Sequence, residues 1–167
     1  MSPETGSSNL NELIKEAIGG CVIHIGEGAF TNRAEMVVDK GITLTGEGWE
    51  KTIVRILGSV NRRVLRLDHE DAVCEKVTLC GSRNNLHGGN DDGYGTGVRI
   101  GNAGGELRDC RVTGAKSDNH FQYGVVAVRG SSGLVTRCLI DGNDNLFQET
   151  SGDGYGVLHV SAGVAEN

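Results

Sequence analysis

GVRIGNAGGELRDCRVTG, Gly97 to Gly114, is followed by its own likeness, VVAVRGSSGLVTRCLIDG, Val125 to Gly142, at a constant offset of 28. Apolar residues coincide at Val98/Val126, Ile100/Val128, Leu107/Val135 and Val112/Ile140. Gly105/Gly133, Cys110/Cys138 and Gly114/Gly142 coincide as well. The phrase reads once upstream, in VLRLDHEDAVCEKVTLCG, where Leu65, Leu67, Val73, Val77, Leu79 and Gly81 take those places. It begins again downstream at Gly156, in GVLHVSAGVAEN. Strands marked by Leu65, Val98, Val126 and Leu158 are thus spaced by 33, 28 and 32 residues. A period of this size marks stacked units, each burying its apolar face against the next.

A further element lies between these strands. DNHFQ (Asp118 to Gln122) and DNLFQ (Asp144 to Gln148) match at an offset of 26, with NNLHG (Asn84 to Gly88) a weaker relative. Each unit then holds three short strands: GVxV, the segment containing Cys or Val, and NLF or NHF. Three strands per unit with tight turns between them predict an all-β chain wound as a single-stranded right-handed parallel β-helix of about five coils. Asn85, Asn119 and Asn145 are expected to stack as a ladder at the turn into the third strand. Cys110 and Cys138 occupy equivalent places and are expected to be vertical neighbours, packed as small apolar residues. The five cysteines form no CxxC pair, and their odd number argues against a disulfide framework.

Toward the N-terminus the pattern changes. Residues 1–8 are polar and read as a flexible start. Asn9 can cap a helix with Glu12 as its capping-box partner, and Leu10, Leu13, Ile14, Ala17 and Ile18 fall on one face. Gly19-Gly20 ends it. A capping helix over residues 9–19 would plug the open core and shield the first sheet edge. One β-helix domain is expected over 9–167, with the coils in 21–167. CVIHI (Cys21 to Ile25), EMVV (Glu35 to Val38), ITLTG (Ile42 to Gly46) and TIVRI (Thr52 to Ile56) are the clearest early strands. At the other end, laying SAGVAEN over SSGLVTRC places Asn167 just before the place of a repeat Cys. The reading is a coil cut off at a truncated C-terminal end, whose open edge invites self-association.

Composition narrows the function. Glycine is abundant (27 of 167) and proline nearly absent (1), as many tight turns require. A net charge of −6 with no basic stripe excludes a nucleic-acid binder. No apolar run approaches the roughly 20 residues of a membrane span. The first residues carry no signal-peptide pattern. There is no GxSxG, P-loop or dinucleotide fingerprint.

Candidate chemistry falls on one face and one corner. The outward column of the GVxV strands reads Arg66, Arg99, Ala127, His159, and cations stacked in a column suit an acidic polymer through charge-assisted bonds. The same residues serve equally as the polar exterior that any alternating strand needs. The insert Ser82 to Thr96 carries DGYG, which recurs at Asp153 to Gly156. Tyr94, Tyr123 and Tyr155, with His120, could present carbohydrate-binding surfaces, or the tyrosines could staple the loops to the coil. Asp91, Asp92, Glu149 and Asp153 could gather as calcium ligands, or be solvated turn residues.

HIGEGAFTN…ITLTGEGWEKTIV (His24 to Val54), followed by VLRLDHEDAVCEKVTLCG, resembles the opening coils of the pectin-lyase-like superfamily. GYGTGVRIGNAGGELRDCRVTG (Gly93 to Gly114) is similar to repeats of large bacterial surface and secreted β-helix proteins. The resemblance implies a secreted or cell-surface parent, a polysaccharide partner and, in an enzyme, lyase or glycoside hydrolase chemistry with calcium. By the same resemblance an arginine beside calcium would abstract a proton, which singles out Arg66 and Arg99. The paired aspartates of polygalacturonases and the Gln/Asp set of pectin esterases are not matched, so no catalytic residue carries over. The expectation is an extracellular β-helix domain that binds or processes polysaccharide, a fragment of a larger pectate-lyase-like protein. The alternative is a non-catalytic surface or adhesin repeat acting as a rigid scaffold.

Overall fold

A computed structural model describes residues 9–56, 63–81, 83–84, 97–114, 116–117, 126–129, 132–142, 144–145, 157–160 and 164–166. All the pairings between its strands are parallel, and they gather into three broad sheets and a narrow fourth. Sheet A comprises Val22–Ile25, Thr43–Gly46, Val73–Glu75, Gly105–Arg108, Gly133–Thr136 and Val164–Glu166. Sheet B comprises Gly28–Asn32, Thr52–Ile56, Thr78–Cys80, Arg111–Thr113 and Leu139–Asp141. Sheet C comprises Met36–Val38, Leu65–Leu67, Val98–Ile100, Val126–Arg129 and Val157–Val160. Sheet D is built from Arg83–Asn84, Lys116–Ser117 and Asp144–Asn145.

The chain visits these sheets in a fixed cycle. It runs A, B, C and back to A one strand further on; from the third round, D intervenes between B and C. This all-β architecture of stacked parallel sheets is consistent with a parallel β-helix. Successive rounds align side chains of like kind, because a strand alternates its faces with period two. Inside sheet A, Leu44, Cys74, Leu107 and Val135 are register partners and all buried. Val54, Leu79 and Val112 stack in sheet B, and Leu67, Ile100 and Val128 in sheet C. Each such aliphatic side chain stabilises the stack by about 1.5–3 kcal/mol of apolar burial.

The corners explain the repeated small and charged residues. Gly81, Gly114 and Gly142 all turn with positive φ (82°, 67° and 58°), a conformation that costs glycine nothing. Their backbones are linked, Gly114 N–H donating to the Gly142 carbonyl at 3.1 Å. At the corner from A to B the left-handed residue is not glycine: Lys76, Asp109 and Arg137 have φ of 58°, 49° and 48°. Helix α1, Asn9–Glu16, buries Leu10 and Ile14 against the first coils. Lys40 ties down its end, donating from Nζ to the carbonyls of Lys15 (2.9 Å) and Ala17 (3.0 Å).

The register corrects several sequence expectations. Cys74, not Val73, is the inward partner of Leu107, and Val73 pairs instead with Glu106. Val126 pairs with Val157, so the last strand of sheet C is offset by 31 rather than 32. The matched pentapeptides do not stack as aligned: Asn145 pairs with Ser117, which pairs with Asn84, so the offset of 28 persists there. The register there sets Asn145 beside Ser117; Asn85 and Asn119, the other members of the expected ladder, lie outside the described residues. The helix ends at Glu16, before the expected boundary at residue 19. A strand at Gly28–Asn32, hidden in GEGAF, was not expected at all.

Candidate functional site

The outer face of sheet C is the surface to which the sequence pointed. Val37 pairs with Arg66, Arg66 with Arg99, Arg99 with Ala127, and Ala127 with Leu158. Two guanidinium-bearing residues thus stand on adjacent strands, about 4.8 Å apart at the backbone. Both are half-buried, and Arg66 Nε is sequestered from solvent without a hydrogen-bond partner. His159 pairs with Val128 and so leaves the arginine column, which continues through Leu158.

The column opens at one end into a cleft of about 370 Å³ lined by Asn11, Ile14, Lys15, Glu35, Val37, Asp39 and Lys40. Helix α1 supplies the wall at positions 11, 14 and 15, three and four residues apart on one helical face. Glu35, Val37 and Asp39 alternate along the first strand of sheet C and its flanks, so they share its outer face. Glu35 accepts from Arg63 Nε at 2.8 Å. On the far flank of the column Asp68 accepts from the Ala103 N–H at 3.5 Å. Its carboxylate lies over Gly101, where an added Cβ would fall 2.2 Å from Asp68 Oδ1.

Elsewhere on the exterior, Glu75, Asp109 and Asp141 are tied to arginines of neighbouring coils. Glu75 accepts from Thr45 Oγ1 at 2.9 Å and Arg108 Nε at 2.7 Å, and Arg108 also reaches Glu106 at 3.1 Å. Burial pushes the Glu75 carboxyl up, but the bonds from Arg108 and Thr45 and the charges of Arg108 and Lys76 outweigh it and leave it lowered. Arg137 binds Asp109 through both nitrogens of a fork, each at 2.7 Å, which holds the Asp109 carboxyl low. Arg111 grips Asp141 in the same way at 2.7 and 2.8 Å. These pairs are committed to holding coils together and are poorly placed to act as acids or bases.

The Cys110 and Cys138 thiols are equally unavailable for nucleophilic work. Cys110 Sγ donates to the Cys74 carbonyl and Cys138 Sγ to the Leu107 carbonyl, both at 3.5 Å. Burial pushes the Cys110 thiol well up, and Cys138 up to about 12. The expectation of packed free thiols holds: all five cysteines are free.

Tyr94, Tyr123, Tyr155, His120, Asp91, Asp92, Glu149 and Asp153 lie outside the described residues. By position, Tyr94, Tyr123 and Tyr155 precede Val98, Val126 and Val157, the first residues of three adjacent sheet C strands, by four, three and two residues. Among the described residues no three His, Cys, Asp or Glu side chains group as a metal site, and no helix is long and apolar enough to cross a membrane. The cleft beneath helix α1 and the ion pairs between coils were missed from sequence. Asp109 and Arg137, 28 residues apart, could have been paired from the repeat offset alone. No protein-family model, no curated protein and no solved structure matches the chain.

Proposed function

We propose that the chain is a right-handed parallel β-helix domain of the pectin-lyase-like kind, working outside the cell as a binding module for an acidic polysaccharide. The observation that carries this reading is the direct register of Arg66 and Arg99 on the outer face of sheet C. Stacked guanidinium groups meet carboxylates spaced along a polymer, and Asp39 and Asp68 beside them can accept from sugar hydroxyls. Recognition rather than cleavage is favoured because Glu75, Asp109 and Asp141 are engaged by arginines. The test is calorimetric titration with a uronic-acid polymer and with its carboxyl-reduced counterpart. Binding of the acidic form alone, weakened by salt and by Arg66→Ala with Arg99→Ala, supports the reading. Equal binding of both forms, or of neither, refutes it.

The second reading is a rigid scaffold, favoured by the arginine forks that clamp successive coils. It predicts no polysaccharide binding, together with loss of stability when those forks are removed.

A further inference from the structure

Resting on the proposed binding of an acidic polysaccharide, we infer that the cleft beneath helix α1 seats the terminal sugar of that chain, so recognition is at chain ends. The arginine column does not run off the molecule at its lower end. Arg66 pairs with Val37, and Val37 forms part of the cleft that α1 walls with Asn11, Ile14 and Lys15. A polymer lying along Arg99 and Arg66 meets the helix at the next strand and has to stop there. An interior stretch of polymer would need a path through the helix.

The cleft has the chemistry of a sugar seat. Half-buried Val37 offers an apolar floor for a ring face, while Ile14, in the wall, is turned into the core. Asn11 Oδ1 is sequestered from solvent with no hydrogen-bond partner, although its Nδ2 donates to the Ala34 carbonyl at 3.5 Å. The side chain lines the cleft, and a rotation that exposes this unpaired acceptor lets it take a hydroxyl of the ligand. Lys15 is exposed at the mouth and supplies a cation for the terminal carboxylate, while Asp39 accepts from ring hydroxyls. Lys40 and Glu35 are engaged with α1 and Arg63 respectively, so they shape the cleft without being its free charges.

The experiment compares a uronic-acid trisaccharide with long polymers of the same repeat, by calorimetry on the full chain. End recognition predicts that the trisaccharide binds about as tightly as the polymer counted per chain end. It also predicts that the number of protein molecules bound per polymer does not rise with polymer length. Lys15→Ala and Asn11→Ala should each weaken the trisaccharide about tenfold, the size of one charge-assisted or buried hydrogen bond, while Glu16→Ala, exposed and outside the cleft, changes nothing. Both variants sit on the helix surface, and an unchanged unfolding midpoint confirms that they fold. Stoichiometry that grows with polymer length, with Lys15→Ala silent and Arg99→Ala damaging, overturns end recognition and leaves the binding face standing. Absence of binding by trisaccharide and polymer alike overturns both.

Discussion

Replacing Glu75 by Gln removes one charge from the middle of three coils and leaves the shape in place. The carboxylate is 13% exposed and receives Arg108 Nε at 2.7 Å and Thr45 Oγ1 at 2.9 Å. Lys76 Nζ at 3.8 Å is 53% exposed and contributes little. Glutamine can keep its Oε1 toward Arg108 Nε and donate from Nε2 to Thr45 Oγ1, so the loss is the charge assistance on the Arg108 bond. With Arg108 35% exposed, that amounts to about 1–2 kcal/mol, near the low end for bonds to charged groups. For a chain of this length it corresponds to a fall of about 3–6 °C in Tm. The sign of the pH dependence follows from the lowered carboxyl. Its contribution is complete above the ordinary value of 4.5 and disappears as pH falls through the lower folded value. Thermal melts of both proteins from pH 7 down to pH 2.5 should show a constant gap at neutral pH that closes in acid, where protonated Glu75 comes to resemble glutamine. Equal stability at pH 7, or a gap that persists undiminished at the acid end, refutes the account.

Gly46→Ala should destabilise by about 3 kcal/mol, read as a lower urea midpoint at unchanged slope. The new Cβ would lie 2.3 Å from the Lys76 carbonyl oxygen and 2.8 Å from Thr52 Cβ, whereas at Gly26 nothing lies within 4 Å, so Gly26→Ala should stay within about 0.5 kcal/mol. A thiol reagent at pH 8 should label the part-exposed Cys21 and Cys80 first, Cys138 far more slowly because burial lifts it to about 12, and the fully buried Cys110 only on unfolding. Labelling of Cys138 as fast as Cys21 would show that the coil opens at that corner.

The stacked parallel architecture was legible because the repeat carries its own register. Where an insert interrupts the repeat, the register slips by one, and the places are specific. Val73 and Cys74 are both apolar, as are Val157 and Leu158, so alternation alone cannot say which residue faces inward. Backbone pairing decides, and it moved Cys74 inside and His159 out of the arginine column. The strand Gly28–Asn32 escaped because glycine and alanine open it, and Gly28 adopts a φ of 137° that reads as a turn. At the candidate site, Arg66 and Arg99 were found from one column of one strand family. The cleft was not, because it arises from the packing of a helix against a strand some twenty residues away, a relation that no local pattern records.

The spacing of register partners has a consequence for how the chain folds and fails. Between adjacent coils the partners are separated by 21 residues at Val22 and Thr43 and by 33 at Leu65 and Val98. Loop-closure entropy changes only slowly with length, so each new coil is closed at nearly the same cost. The first pair of coils is the expensive nucleus, and each later coil adds its ladders to an existing template. Growth of this kind has no privileged centre, and damage stays where it is made: weakening one coil divides the stack into two cooperative blocks and leaves each block intact.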